Sequence, residues 1–291
     1  MLGVDQWQKS SREVFKLKLA DINKHPRDER IAFEEEPHLY YIDGSTDGYI
    51  SATTLIHEFF DKFNPDEVID KMMASPKWPN SKYYGMTKDD IKKQWEDNGR
   101  EVSEAGTQLH LDIEHFYNDI FVENQSKEFG HFLQFFDKHQ HLKAYRTEWM
   151  IFDETLKLAG SVDMLFKDDD GNYHIYDWKR SKGIKKENKF QKGKYPLSHL
   201  DDCNFYHYSL QLNLYRKLLK LNYGIEVKSM CLVQLHPSWP SYIKYECPIL
   251  EKEIDIIFAQ RISQISLEQN STQKKKVAEI KKEETNANVY Q

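Results

Sequence analysis

LAGSVDMLFKDDDGNYHIYDWK, residues Leu158 to Lys179, reads as two strands joined by an acidic turn. Val162, Leu165 and Phe166 surround Asp163 in the first run, and Tyr173, Ile175, Tyr176 and Trp178 surround Asp177 in the second. Each carboxylate therefore sits where a strand should deliver apolar side chains to a core, and a buried acid is costly without compensation. Between the runs, Asp168-Asp169-Asp170-Gly171-Asn172 is reversal chemistry, because Asp, Gly and Asn tolerate left-handed backbone. Folded as a hairpin, the stretch brings Asp163 and Asp177 into neighbouring strands, and a period of two puts Lys179 on the face of Asp177. Two carboxylates and an amine then converge.

Like charges brought together this way are usually offset by a divalent cation held on oxygen ligands. Such an ion lowers the pKa of a bound water and polarises a phosphoryl oxygen, and the lysine is suited to orient that water or steady developing charge. The chemistry is that of phosphodiester hydrolysis. Read blandly, Asp163 is a turn or edge-strand residue, and Asp177 and Lys179 are ion-pair neighbours across strands. G-S-V-D followed fourteen residues later by D-W-K resembles the two metal-binding motifs of the PD-(D/E)XK nuclease superfamily, in its RecB-like exonuclease branch. Val162 stands where the family usually has proline, a departure common in that branch.

Upstream, Val102, Ala105, Leu109, Ile113, Phe116 and Ile120 recur at steps of three and four, which predicts an amphipathic helix lying on a sheet. His110 and Glu114 lie one turn apart beside that stripe, with Gly106 one turn before. G-T-Q-L-H-L-D-I-E resembles the first RecB-like motif, in which a helical histidine joins the metal site; without the hairpin, His110 is simply a partly buried polar residue. Tyr145, Thr147, Trp149 and Ile151 alternate with Arg146, Glu148 and Met150 as a strand, and the resemblance makes Glu148 a candidate catalytic carboxylate, set against an exposed partner for Arg146.

Beyond Lys179 the chain turns basic. Arg180, Lys182, Lys185, Lys186 and Lys189, with Lys192 and Lys194, are interleaved with Phe190 and Tyr195; cations attract phosphates and aromatics stack on unpaired bases, so this segment is the expected polynucleotide contact. Asn204 to Leu221 reads as a helix, and Gln211 and Tyr215, one turn apart in Q-L-N-L-Y, match the Q-x-x-x-Y motif of the RecB-like branch. An amide and a phenol on one face are able to bridge the metal-site strands or a substrate phosphate. Gly224 closes that helix before a strand over Val227 to Leu235. An edge strand over Tyr242 to Ile249 and a closing helix with Ile254, Ile257, Phe258 and Ile262 follow.

Before the motifs, residues 5–24 suggest a short helix through Trp7, Val14, Leu17, Leu19 and Ile22. Next, His38 to Ile42 and Tyr49-Ile50 flank Asp43 to Gly48 as a hairpin, Ser51 or Thr53 caps a helix with Leu55, Ile56, Phe59 and Phe60, and Thr87 begins a helix to about Asp97.

The 291 residues, 39% hydrophobic, suffice for one large domain with a full core. A net charge of -6 argues against a protein that coats nucleic acid indiscriminately. Cys203, Cys231 and Cys247 form no disulfide framework. Some RecB-like relatives carry a four-cysteine cluster with one N-terminal ligand, which this sequence lacks, so no iron–sulfur cluster is expected. No apolar run reaches membrane-spanning length and no secretory signal opens the sequence, so no membrane is expected and the setting is cytoplasmic or nuclear.

The fold class expected is α/β: a PD-(D/E)XK restriction-endonuclease-like core of α-β-β-β-α-β order, a central mixed sheet flanked by helices, over 101–267. Residues 1–100 form an N-terminal extension suited to a lid or channel wall, and 268–291 a polar, flexible or frayed tail. The resemblance implies a Mg²⁺- or Mn²⁺-dependent DNA nuclease, an exonuclease in preference to an endonuclease, leaving 5′-phosphates on single strands or duplex ends. It implies metal ligation by His110, Asp163, Asp177 and the Trp178 carbonyl, with Lys179 positioning the water. D-W-K-R-S is similar to mitochondrial genome maintenance exonucleases in particular. No G-x-x-x-x-G-K-[ST] motor loop occurs, so the nuclease works alone or borrows a helicase or other replication or recombination partner. A catalytically silent nucleic-acid-binding module, an interaction domain whose acids only form ion pairs, and an RNA-directed nuclease remain the alternatives.

Overall fold

The computed structural model describes residues 18–289. Its centre is the predicted hairpin: β5 (Leu158–Lys167) runs antiparallel to β6 (Tyr173–Lys179), with Met164 opposite Tyr176 and Lys167 opposite Tyr173. The turn closes as its residue types require. Gly171 takes φ 87°, and the Asp168 carboxylate accepts from the Asn172 backbone N–H at 2.7 Å and contacts His174 Nε2 at 3.0 Å.

Around this pair the sheet is completed by β4 (Lys143–Asp153), antiparallel to β5, by β7 (Val227–Gln234), parallel to β6, and by the edge strand β8 (Ile243–Glu246). Ile175 to Trp178 are all buried, as expected of a central strand covered on both faces. One face carries α6 (Asn204–Tyr223), whose Leu210, Leu214 and Leu218 are fully buried, and the start of α7 (Glu251–Val289). The other face is covered by α4 (Lys88–Tyr117) and α5 (Lys127–Lys138), which bring Leu109, Ile113, Phe129, Phe132 and Phe135 against Met164, Phe166, Tyr176 and Trp178. This is the mixed α/β sheet flanked by helices that the sequence predicts. Gly224 ends α6 in the left-handed conformation, φ 67°.

Four details depart from the sequence reading. The two helices expected over 87–97 and 102–120 are one thirty-residue helix, α4, opened by a Thr87/Asp90 capping box; Gly99 weakens a helix without breaking it, and no proline intervenes. Val102, placed on its apolar stripe, is exposed. The N-terminal hairpin forms between β2 (Leu39–Ile42) and an earlier strand, β1 (Ile31–Glu34), rather than with Tyr49-Ile50, because a turn at Asp43 and Gly44 folds Ser45 back onto Ile42. The glutamates at 34–36 give that segment the look of a polar loop. Ile50 and Ser51 instead form β3, parallel to Leu158 and Ala159 of β5, so the N-terminal segment contributes a strand to the central sheet.

Ser51 then caps α2 (Ala52–His57), accepting from Thr54 N–H at 3.0 Å, and Leu55, Ile56, Phe59 and Phe60 are buried as expected. The helix α3 (Pro65–Met73) follows. Of the helix expected over 5–24, Lys18–Ile22 is α1, while Trp7, Val14 and Leu17 lie outside the described residues. Among the described residues no helix is long and apolar enough to cross a membrane.

Candidate metal centre

The β5–β6 ladder stops at Met164 and Tyr176; continuing its register by one step sets Asp163 opposite Asp177. Here the strands part. The backbone N–H of Trp178 donates to Asp163 Oδ2 at 3.0 Å in place of a ladder partner. Asp177 is 2% exposed, and the Lys179 ammonium lies 2.6 Å from its Oδ2 and 4.8 Å above the Tyr208 ring. The approach of Lys179 is close but off the hydrogen-bond direction, so this buried oxygen has a charge partner and no hydrogen-bond donor.

His110, on α4, points into the same gap. Its Nε2 is 2.8 Å from the Trp178 carbonyl oxygen, and its Nδ1 is 3.1 Å from Glu148 Oε1 and 3.6 Å from Asp163 Oδ2. Glu148 lies on β4 at φ 40°, a left-handed conformation costly for a non-glycine residue. In the β4–β5 register it falls between the pairs Thr147–Met164 and Trp149–Val162, level with Asp163. Ser161 Oγ donates to its other oxygen at 3.1 Å and fixes the carboxylate. One ligand atom each from His110, Glu148 and Asp163 lie within 4.8 Å of one another.

The electrostatics favour a cation at this point. Burial alone would lower the pKa of His110, but Asp163 and Glu148 outweigh it and push it up to about 9. Burial and the Asp163 charge push Asp177 up to about 6 against the pull of Lys179, and burial likewise raises Asp163. Lys179 is buried too, yet Asp177 and Asp163 hold its pKa above the ordinary lysine value. Ligands of a small divalent ion at ~2.0–2.1 Å stand ~3 Å apart in neighbouring positions, close to the spacing of His110 Nδ1 from Glu148 Oε1, 3.1 Å, and from Asp163 Oδ2, 3.6 Å, while the Trp178 carbonyl meets the opposite ring nitrogen. The donor set, and three carboxylates set against Lys179 and His110, fit such an ion.

Of the residues singled out in sequence, His110, Asp163, Asp177, Trp178, Lys179 and Glu148 come together, and Glu148 falls among the ligand atoms while Asp177 pairs with Lys179. Gln211 donates to Tyr215 Oη at 3.0 Å and to Thr53 Oγ1 at 3.0 Å. Tyr215 lies against Gly160 of β5, where a Cβ would meet the ring at 2.6 Å; the glycine is what admits the phenol. Glu114 is not in the cluster.

The basic segment divides. Arg180 is tied to Glu128 at 2.7 Å, Lys192 pairs with Asp201, and Lys186 lies 5.0 Å above the Phe205 ring. Lys182, Lys185 and Lys189 are exposed without an ion pair among the described residues, and Phe190 and Tyr195 are 95% and 88% exposed. Thr53, Tyr208 and Tyr40, also at or beside the site, belong to none of these motifs; only the tertiary fold brings them there.

A family model described as the PD-(D/E)XK nuclease superfamily matches residues 82–290. The solved structure titled "Crystal structure of SSO0001" is similar at 17% identity and a TM-score of 0.32, over 76% of this chain and 78% of that chain. No curated protein matches. The matched residues run from just before α4 to the end of α7 and include all six residues of the cluster.

Proposed function

Since this chain belongs to the PD-(D/E)XK nuclease superfamily, we propose that it is a Mg²⁺- or Mn²⁺-dependent DNA nuclease, acting as an exonuclease on single strands or DNA ends. The observation that carries this reading is the meeting of His110, Glu148 and Asp163 within 4.8 Å, beside a buried Lys179–Asp177 pair. His110, Glu148 and Asp163, with Asp177 and the Trp178 carbonyl facing the same gap, would hold the metal, which when bound supplies Lewis-acid stabilisation of the phosphoryl charge and an acidified water.

The remaining work falls to the protein. Lys179, held by Asp177, orients the attacking water and offsets charge on the phosphoryl oxygens. The water oxygen bonds to phosphorus and gives up a proton to solvent, the bond from phosphorus to the 3′ oxygen breaks, and that oxygen takes up a proton from solvent and leaves as a hydroxyl, so the 5′-phosphate stays on the released product. Tyr215, held by the Gln211 amide, braces β5 beside Asp163 by filling the space over Gly160. Lys182, Lys185 and Lys189, with Phe190 and Tyr195, receive the strand as it leaves the site.

The test is a time course with single-stranded and duplex DNA labelled separately at each end, with Mg²⁺ or Mn²⁺. Mononucleotides released from one end support an exonuclease, and internal fragments would replace it with an endonuclease. No cleavage under either ion would overturn the nuclease assignment.

A further inference from the structure

The β1–β2 hairpin lies outside the family-matched residues 82–290, yet it stands beside the site. Its inner face is set by register: Ile31 pairs with Ile42, and two residues further out Phe33 pairs with Tyr40. The isoleucine pair is buried on Phe152 and Ala159, with Met150 beside them. Phe152–Ala159 and Met150–Ser161 are successive cross-strand pairs on one face of β4–β5, and Ser161 Oγ is already bonded to Glu148. The footing of the hairpin therefore adjoins the metal cluster, and Phe33 and Tyr40 are the next pair outward on the same face, with Tyr40 packed against that footing. Both rings stay partly exposed, 4.7 Å apart, and His38 meets Phe33 edge-on at 4.8 Å. Burial, and after it the charges of Glu148 and Asp163, raise the pKa of Tyr40, so its phenol lies within electrostatic reach of both acids.

A hairpin anchored only for stability would need no such outer pair. Anchoring is already supplied by the isoleucines, and the turn over Pro26–Arg30 that leads into β1 is stitched to β4: Arg146 to Asp28 at 2.7 Å, Trp149 Nε1 to Asp28 at 2.8 Å, and Arg27 to the Phe152 carbonyl at 3.0 Å. The tip carries Glu35 and Glu36, both exposed, which repel phosphates. Recognition here falls to ring faces, and the partner on offer at a phosphodiester-cleaving site is an unpaired base, whose π-face stacks on aromatics regardless of sequence.

We propose that Phe33 and Tyr40, with His38 at the rim, form a base-stacking platform that receives unpaired bases next to the phosphate being cleaved, making the hairpin a single-strand specificity element. The assignment rests on the nuclease reading for its substrate class, but its test does not depend on cleavage. In EDTA, fluorescence anisotropy of the full chain is measured with a short labelled oligothymidylate and with an abasic strand of equal length and charge. Wild type and Tyr40→Phe bind the thymidylate more tightly than the abasic strand. The double variant Phe33→Leu/Tyr40→Leu lowers that ratio by about tenfold, while its affinity for the abasic strand stays unchanged.

A double variant that keeps the wild-type ratio, or weakens both strands equally, overturns the proposal, as does a wild type indifferent to the bases. If the double variant melts early, Phe33→Leu alone carries the same expectation in smaller measure. A wild type that distinguishes the strands but cleaves nothing with Mg²⁺ or Mn²⁺ would refute the nuclease reading and leave the platform standing.

Discussion

Asp177 is the residue on which the chemistry turns. It is buried, its pKa raised by that burial and by the charge of Asp163, and it is matched by one ammonium 2.6 Å away. Its replacement by asparagine keeps the shape and removes the charge that holds Lys179. Asp177→Asn should therefore lose activity by about a hundredfold or more, with a melting temperature close to that of the wild type. Steady-state cleavage rates beside circular-dichroism melting check this, and normal turnover would remove Asp177 from the catalytic machinery. Glu148 shows a different mark of a working residue, a left-handed backbone at a position occupied by glutamate rather than glycine. The conformation aims a carboxylate at His110 that a regular strand would have directed elsewhere.

Among the elements, the β5–β6 hairpin and α6 are coupled through a single missing side chain. A methyl group at Gly160 would collide with the Tyr215 ring at 2.6 Å and its hydroxyl at 2.7 Å. Gly160→Ala should destabilise the protein by ~1–3 kcal/mol. Adding Tyr215→Ala should cost less than the two single changes summed, as measured by urea titration of the four chains in the cycle. The turn at the far end of the hairpin has a pH signature. The Asn172 side chain, and after it His174, hold the Asp168 carboxyl below the ordinary carboxylate range. A depressed folded-state pKa contributes stability that is present above the unfolded value, ~3.9, and is lost as the pH falls through the folded one. Asp168→Asn should be less stable than the wild type at pH 7, and the gap should begin to narrow only in urea titrations stepped below the unfolded value, ~3.9, without closing by pH 3.

For the whole molecule, the charge balance at the centre makes the metal part of the stability. Three carboxylates face Lys179 and His110, and a bound cation relieves repulsion that the folded chain otherwise sustains. Mn²⁺ at a hundred times its dissociation constant should raise the free energy of unfolding by ~2.7 kcal/mol. Asp163→Ala should abolish the shift, and EDTA should reverse it in the wild type, with melting followed by calorimetry. The architecture that places these charges was largely legible beforehand. Alternating apolar residues around Asp163 and Asp177, the D-D-D-G-N turn and the three-four spacing of Leu109, Ile113 and Phe116 are local patterns, and strand and helix periodicity act over a few residues. Hence the sequence alone determined the hairpin, the helix that carries His110, the Gln211–Tyr215 face and the α/β class. Partners distant along the chain were another matter. The pairing of β2 with β1 rather than with Tyr49-Ile50, the entry of Ile50 and Ser51 into the central sheet, the seat of Glu148 among the ligand atoms, and the placing of Phe33 and Tyr40 beside the site leave no periodic trace. Only the tertiary structure decided them, because each is fixed by which surfaces bury one another after the strands have met, and no local run of residues encodes that choice.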